Sequence, residues 1–244
     1  MVSNILYRLV AFADFSNLGN TKENISALEK EFADEKYTIS PLVEANGLGN
    51  IYRGNTLIGS DNNPIINISS QRIEVIRGSD KKTGFDETEQ LIVKEQLTKY
   101  LSRVYDCFSS CIQDSNRLAW VTEYAFFEID EETMSSFRNR FLIPLNYYTE
   151  KSTNEFVAKY AGVDEKIICG RQENLNVIST IRRWFPGQGM GYVASVDGYG
   201  VEIDINTVAR NKKNRFSLES FGEFVSVADE IKSDLVGELF HGCY

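Results

Sequence analysis

Histidine is almost missing from this chain: His241 is the only one among 244 residues. It stands close to the end of the sequence, where a Ser-His-Asp or Cys-His site would rest on a segment that frays readily. It reads instead as a surface residue at a helix end. Cysteine is sparse as well. Cys107, Cys111, Cys169 and Cys243 are too few and too scattered for a disulfide framework in a chain this long, which points to a reducing, cytoplasmic setting. Zinc sites need Cys and His clustered at short spacings. Cys107 and Cys111, four apart on an expected helix, have no second pair beside them and read as small core or boundary residues.

Long apolar runs are missing too. No stretch approaches the roughly 18 consecutive apolar residues of a membrane span. The apolar run in "MVSNILYRLVAFADF" contains Arg8 and Asp14 and lacks a small-residue cleavage site, so no secretory signal is expected. No GxxxxGK[ST] phosphate loop occurs. The glycine run "GQGMGY" at 187–192 leads into a strand, not into the helix N-terminus whose amides would hold a phosphate. Its glycines read as a flexible loop or a bulge. No metal or cofactor is expected.

What the chain does have is acid and apolar bulk. Thirty-five Asp and Glu against 26 Lys and Arg leave a net charge of −9. Such a surface repels phosphate backbones, so nucleic acid is not expected as a direct ligand. It suits simple solubility, or a basic partner such as a toxin or a nucleic-acid enzyme. At 42% hydrophobic and 12% aromatic, the chain can fill a real core and is too apolar for disorder.

The order of elements repeats. "NILYRLVAFADF" alternates Ile5, Tyr7, Leu9 and Ala11; "RLAWVTEYAFFEID" alternates Leu118, Trp120, Thr122, Tyr124 and Phe126, and both read as strands. A helix follows each. "NTKENISALEKEF" places Ile25, Leu28 and Phe32 on one face, and "DEETMSSFRNRF" places Met134, Phe137 and Phe141 at the same spacing. Thr21 or Asn20, and Asp130, are the expected N-caps. A β region comes next: "YTISPLVEA", "GNIYRGNTLIG" and "PIINISSQRIEVIR" in the first half, "NVISTIRRWF" and "GYVASVDGYGVEIDIN" in the second. "ISSQRIEVIR" and "VDGYGVEIDI" match in spacing: Ile73 with Val201, Glu74 with Glu202, Val75 with Ile203. Ser70-Gln71 and Asp197-Gly198 are the expected hairpin turns. Each half then closes on a long amphipathic helix. One carries Val93, Leu97, Leu101, Val104 and Phe108; the other carries Phe221, Phe224, Val225, Ala228, Ile231, Leu235 and Leu239, with Ser217 as its N-cap.

The predicted fold is α+β: tandem duplicated β-α-β(n)-α helix-grip-like units, their antiparallel sheets packed against long helices. The first half spans 1–112 and the second 117–244, with a break near 110–117 ("CIQDSNR"), the two forming one pseudo-symmetric body. The arrangement resembles the helix-grip topology of TATA-box-binding-protein-like and START-like units. Through "NPIINISSQRIEVIRG" and "NRFSLESFGEFVSVADEIKSDLVGELFHG" the chain also resembles a sporadically distributed bacterial family of uncharacterised function. That resemblance brings no catalytic residues with it.

Candidate sites are few. Glu202, Asp204 and Asn206 alternate on one strand face, where paired carboxylates hold Mg²⁺ or act as acid and base, or simply form a solvent face. In "TIRRWFPGQGM", Arg182, Arg183 and Trp184 precede Gly187 and Gly189. Arg and Trp are enriched at interface hot spots, and a glycine loop can adapt beside them. Alternation sets Arg182 and Trp184 on one face and Arg183 on the other. The basic run "ARNKKNR" at 209–215 reads as a solvated loop. Together with the acidic surface and the family resemblance, these features lead to an expected non-catalytic, protein-binding subunit of a bacterial conflict system: antitoxin-like, immunity or anti-phage defence. The alternatives are a small-molecule or lipid-binding helix-grip module, and a metal-dependent enzyme using Glu202 and Asp204.

Overall fold

A computed structural model describes residues 2–45, 51–60, 63–81, 83–126, 131–141, 157–184 and 198–241. Strand β1 (Val2–Phe12) leads to helix α1 (Lys22–Glu31), then to strands β2 (Thr38–Ala45), β3 (Ile51–Ile58), β4 (Ile65–Ile68) and β5 (Arg72–Gly78), and to the long helix α2 (Glu87–Cys107). Strand β6 (Arg117–Phe126) starts the second run, followed by α3 (Glu131–Phe141), β7 (Val157–Ile168), β8 (Arg171–Trp184), β9 (Gly198–Thr207) and α4 (Leu218–Leu239).

The fold is α+β, with all nine described strands in one antiparallel sheet of order β2-β3-β4-β5-β1-β6-β9-β8-β7. β1 and β6 lie side by side at its centre, with Leu9 opposite Trp120. The strands of the first run fill one side of this pair and those of the second fill the other.

Alternation explains the faces. Ile73 and Val75, and their sequence counterparts Val201 and Ile203, are fully buried on the helix side. Glu74 and Glu202 follow the period of two onto the opposite face. The expected turn at Ser70-Gln71 is present: the Ser69 amide donates to the Arg72 carbonyl over 2.9 Å.

The helices cover the inner face because their apolar stripes match it. Val93, Leu97, Leu101, Val104 and Phe108 are all buried, as are Phe221, Phe224, Val225 and Ala228. Each buried Val, Leu or Phe among them contributes roughly 1.5–3 kcal/mol of transfer energy. Lys94 of α2 meets Asp229 of α4, and Tyr105 packs edge-on to Phe221, so the two helices run antiparallel. α1 starts where expected, with Thr21 accepting from the Asn24 amide. α2 starts with a full capping box formed by Asp86 and Glu89. Arg140 of α3 donates to the Glu238 and His241 carbonyls and so caps the end of α4.

Several sequence expectations change. Ser217 is the N-cap of α4, but its side chain makes no capping bond; its carbonyl accepts from the Ser220 amide instead. α2 ends at Cys107, so Cys111 lies beyond the helix and the two thiols do not share a helical face. The second half holds a strand not anticipated from its sequence, β7, joined to β8 by the two-residue turn Cys169-Gly170. Both turn residues have positive φ, 49° and 70°, as a primed hairpin turn requires. Gly198 is already a strand residue opposite Trp184. The strand expected before it, Asp197, and the Asp130 cap lie outside the described residues.

Candidate functional site

One end of the helix–sheet sandwich holds a polar cleft. It forms where the start of α2 and the end of α4 stand over the start of β1 and the end of β6. The key local feature is a register shift in β1. Asn4 lies opposite Tyr124, but Leu6 lies opposite Glu123, so Ile5 is an extra residue. Bulges of this kind re-aim side chains. Here the bulge takes Asn4 to the inner face, opposite Tyr124, although simple alternation with Tyr7 sends it outward.

The segment between β5 and α2 pins the bulge. The Ser79 amide donates to the Ile5 carbonyl and the Phe85 amide to the Asn4 carbonyl, each over 2.8 Å. Gly84 has φ +69°, and a Cβ there would stand 2.2 Å from the Asn4 carbonyl oxygen. Only glycine permits this approach.

The resulting cleft has a volume of about 350 Å³, with Asn4, Phe85, Gln90, Tyr124 and Lys232 in its wall. Asn4 is 4% exposed; its carboxamide interacts with the Tyr7 hydroxyl, but neither its nitrogen nor its oxygen makes a hydrogen bond of good geometry. It lies near the Tyr7 hydroxyl, but that group donates to Gln90 Oε1 over 2.8 Å. Burial pushes the Tyr7 phenol far above its ordinary range, so it stays a neutral donor. Ser3 Oγ, also buried, is without a partner as well. The Lys232 ammonium is not free: it lies 2.7 Å from Asp229, whose other oxygen binds Lys94 at 2.7 Å. The cleft therefore offers neutral donors and acceptors beside a charged group in which the Lys94 and Lys232 ammoniums share the one Asp229 carboxylate.

The opposite face of the sheet carries a second polar group. Glu123 of β6 stands directly across from Glu202 of β9. Burial raises the Glu123 carboxyl above its ordinary range; Arg8, 3.8 Å away, opposes the shift, the Glu202 charge adds to it, and Arg182 opposes it. Sequence reading singled out Glu202 but missed Glu123, because only the β6–β9 register brings them together. Asp204 is engaged elsewhere, accepting from Asn206 Nδ2 over 2.9 Å. Among the described residues, no three His, Cys, Asp or Glu side chains converge as metal ligands.

Arg182 is exposed near the end of β8, opposite Val157 and Gly200. The β8–β9 ladder continues through Arg183 opposite Tyr199 to Trp184 opposite Gly198. Gly187 and Gly189 lie outside the described residues. His241 is exposed just beyond α4. The basic segment is less free than its sequence implies: Arg215 turns inward onto Glu173, with Nε–Oε1 2.8 Å and Nη2–Oε2 3.0 Å. None of the described helices is long and apolar enough to cross a membrane. Comparisons of the chain with known protein families and with characterised proteins give no match.

Proposed function

We propose that this chain is a non-catalytic binding module whose cleft between sheet and helices takes a small, uncharged, polar molecule. The observation that carries this is Asn4, a buried carboxamide in the cleft wall whose polar atoms, beside the Tyr7 hydroxyl, make no hydrogen bond of good geometry. A buried amide left unsatisfied costs about 1–3 kcal/mol, a cost a ligand can relieve. A carboxamide presents a donor and an acceptor side by side, the complement of an amide or of a nucleobase edge. Ser3 Oγ, also without a partner, adds a further polar group to the lining, which suits such a ligand better than an acyl chain. A helix-grip duplication fits this reading: the two runs of elements stand on opposite sides of the β1–β6 pair, each with a long helix over the sheet.

The test is a thermal-shift and NMR screen of the full chain against nucleobases, lactams and primary amides. A ligand present at about 100 times its Kd stabilises by about 2.7 kcal/mol. Hits that vanish in Asn4→Leu while the fold persists support the proposal. Failure of every compound to shift the parent, with ordered water alone at Asn4 in a crystal structure, overturns it.

A second function, protein binding within a bacterial conflict system, rests on the exposed Arg182 beside the Glu123–Glu202 pair. Arginine is a residue type enriched at interface hot spots, and Arg182 is exposed near a strand end. Arg182→Glu combined with Trp184→Ala, scored by affinity capture in the native host and by melting temperature, tests it. Partner capture equal to the parent's by the folded double variant removes it.

A further inference from the structure

The two edges of the sheet are built differently. β2 is eight residues long and interrupted by Pro41, which has no N–H to offer another strand. β7 is twelve residues long and free of proline, and among the described residues it has no partner on its outer side. Val157, Val163 and Ile167 share one face of it and are 59%, 67% and 67% exposed. A long, apolar, unpaired edge of this kind recruits a further strand. Its charges point to which one. Lys159, Asp164, Glu165 and Lys166 cancel, on a chain that is otherwise strongly acidic.

We propose that β7 pairs antiparallel with β7 of a second copy of this chain, about a twofold axis at Gly162, joining two nine-stranded sheets edge to edge. A twofold axis normal to an antiparallel pair sets one residue opposite itself. With Gly162 on the axis, Lys159 faces the partner's Glu165, and the pair occurs twice. Val157 then faces the partner's Ile167, Ala161 the partner's Val163, and Tyr160 the partner's Asp164. Moving the axis to Ala161 sets Lys159 against the partner's Val163. Moving it to Val163 sets Lys159 against the partner's Ile167. An axis at Glu165 sets Asp164 against the partner's Lys166 and Val163 against the partner's Ile167, but brings Glu165 against itself; the Gly162 register matches opposite charges and apolar residues along nearly the whole strand with no like-charge pair. Among the described residues nothing requires glycine at that position, since a Cβ there meets nothing within 4 Å. In a strand it marks close approach by another backbone.

Sedimentation of the full chain at concentrations up to about 0.1 mM should show a dimer. Lys159→Glu or Glu165→Lys alone creates two like-charge pairs across the axis and should weaken association at least about tenfold. An equimolar mixture of the two variants restores opposite charge at both pairs and should give a one-to-one heterodimer. Gly162→Cys should cross-link across the axis on oxidation faster than the parent, because facing strand positions lie within disulfide reach. A monomeric parent, a dimer indifferent to both reversals, or a mixture that stays apart overturns the proposal. Circular dichroism checks that each variant is folded. Should a charge reversal unfold the chain, the Gly162→Cys cross-link decides: its failure in folded protein overturns the pairing.

Discussion

The Phe85 amide donates to the Asn4 carbonyl over 2.8 Å, and this bond fixes the wall of the cleft. It holds the bulged start of β1 against the segment entering α2, at a distance only a glycine at position 84 allows.

Gly84→Ala should therefore destabilise the chain by about 1–3 kcal/mol, through a strained positive φ and a Cβ driven onto the Asn4 carbonyl. Chemical denaturation measures the loss. Gly237→Ala, whose Cβ meets nothing within 4 Å, should cost nothing and serves as the control.

Asn4→Leu should leave stability unchanged or raise it by about 1 kcal/mol, since it replaces an unsatisfied buried amide with an apolar group of similar size. Ligand binding in the cleft should be lost. An ordinary core asparagine, held by good hydrogen bonds, would show the reverse: a fall in the unfolding midpoint.

The Glu123 carboxyl holds its proton more tightly in the folded chain than in the unfolded one. The folded state then binds more protons, so this group's contribution falls as pH rises from its ordinary value of 4.5 through its raised one. Glu123→Gln should remove that decline, so the difference between parent and variant should shrink as pH is lowered. Urea midpoints across this range test the sign.

Arg215 and Glu173 form a two-pronged ion pair, with side chains 7% and 8% exposed. Arg215→Ala strands the Glu173 carboxylate and should cost about 3–5 kcal/mol. Replacing both, Arg215→Met with Glu173→Leu, should recover most of that loss in a double-mutant cycle.

Much of the fold was legible before the strands were paired. The period of two in Tyr7, Leu9 and Ala11 and the helical stripe from Val93 to Phe108 are local properties, and each lies buried where its period places it. The Asp86–Glu89 capping box is equally local, although it is not among the expected caps. β7 escaped because its residues, VAKYAGVDEKII, show no regular apolar–polar alternation and its turn, Cys169-Gly170, lacks the usual Asn or Asp signal. Of the candidate patch, Arg182 alone has a described side chain, and it is exposed as a surface patch requires.

The sequence by itself determined the helices, most of the strands and which side of each is apolar, because the hydrophobic period is written along the chain. Only the tertiary structure decided the cleft and the carboxylate pair. Glu123 and Glu202 are far apart in sequence and meet only through the β6–β9 register. Asn4 turns inward only because one extra residue in β1 shifts its pairing with β6, held by amides from a distant segment. Register and bulge are settled by long-range backbone pairing, and no local pattern encodes them.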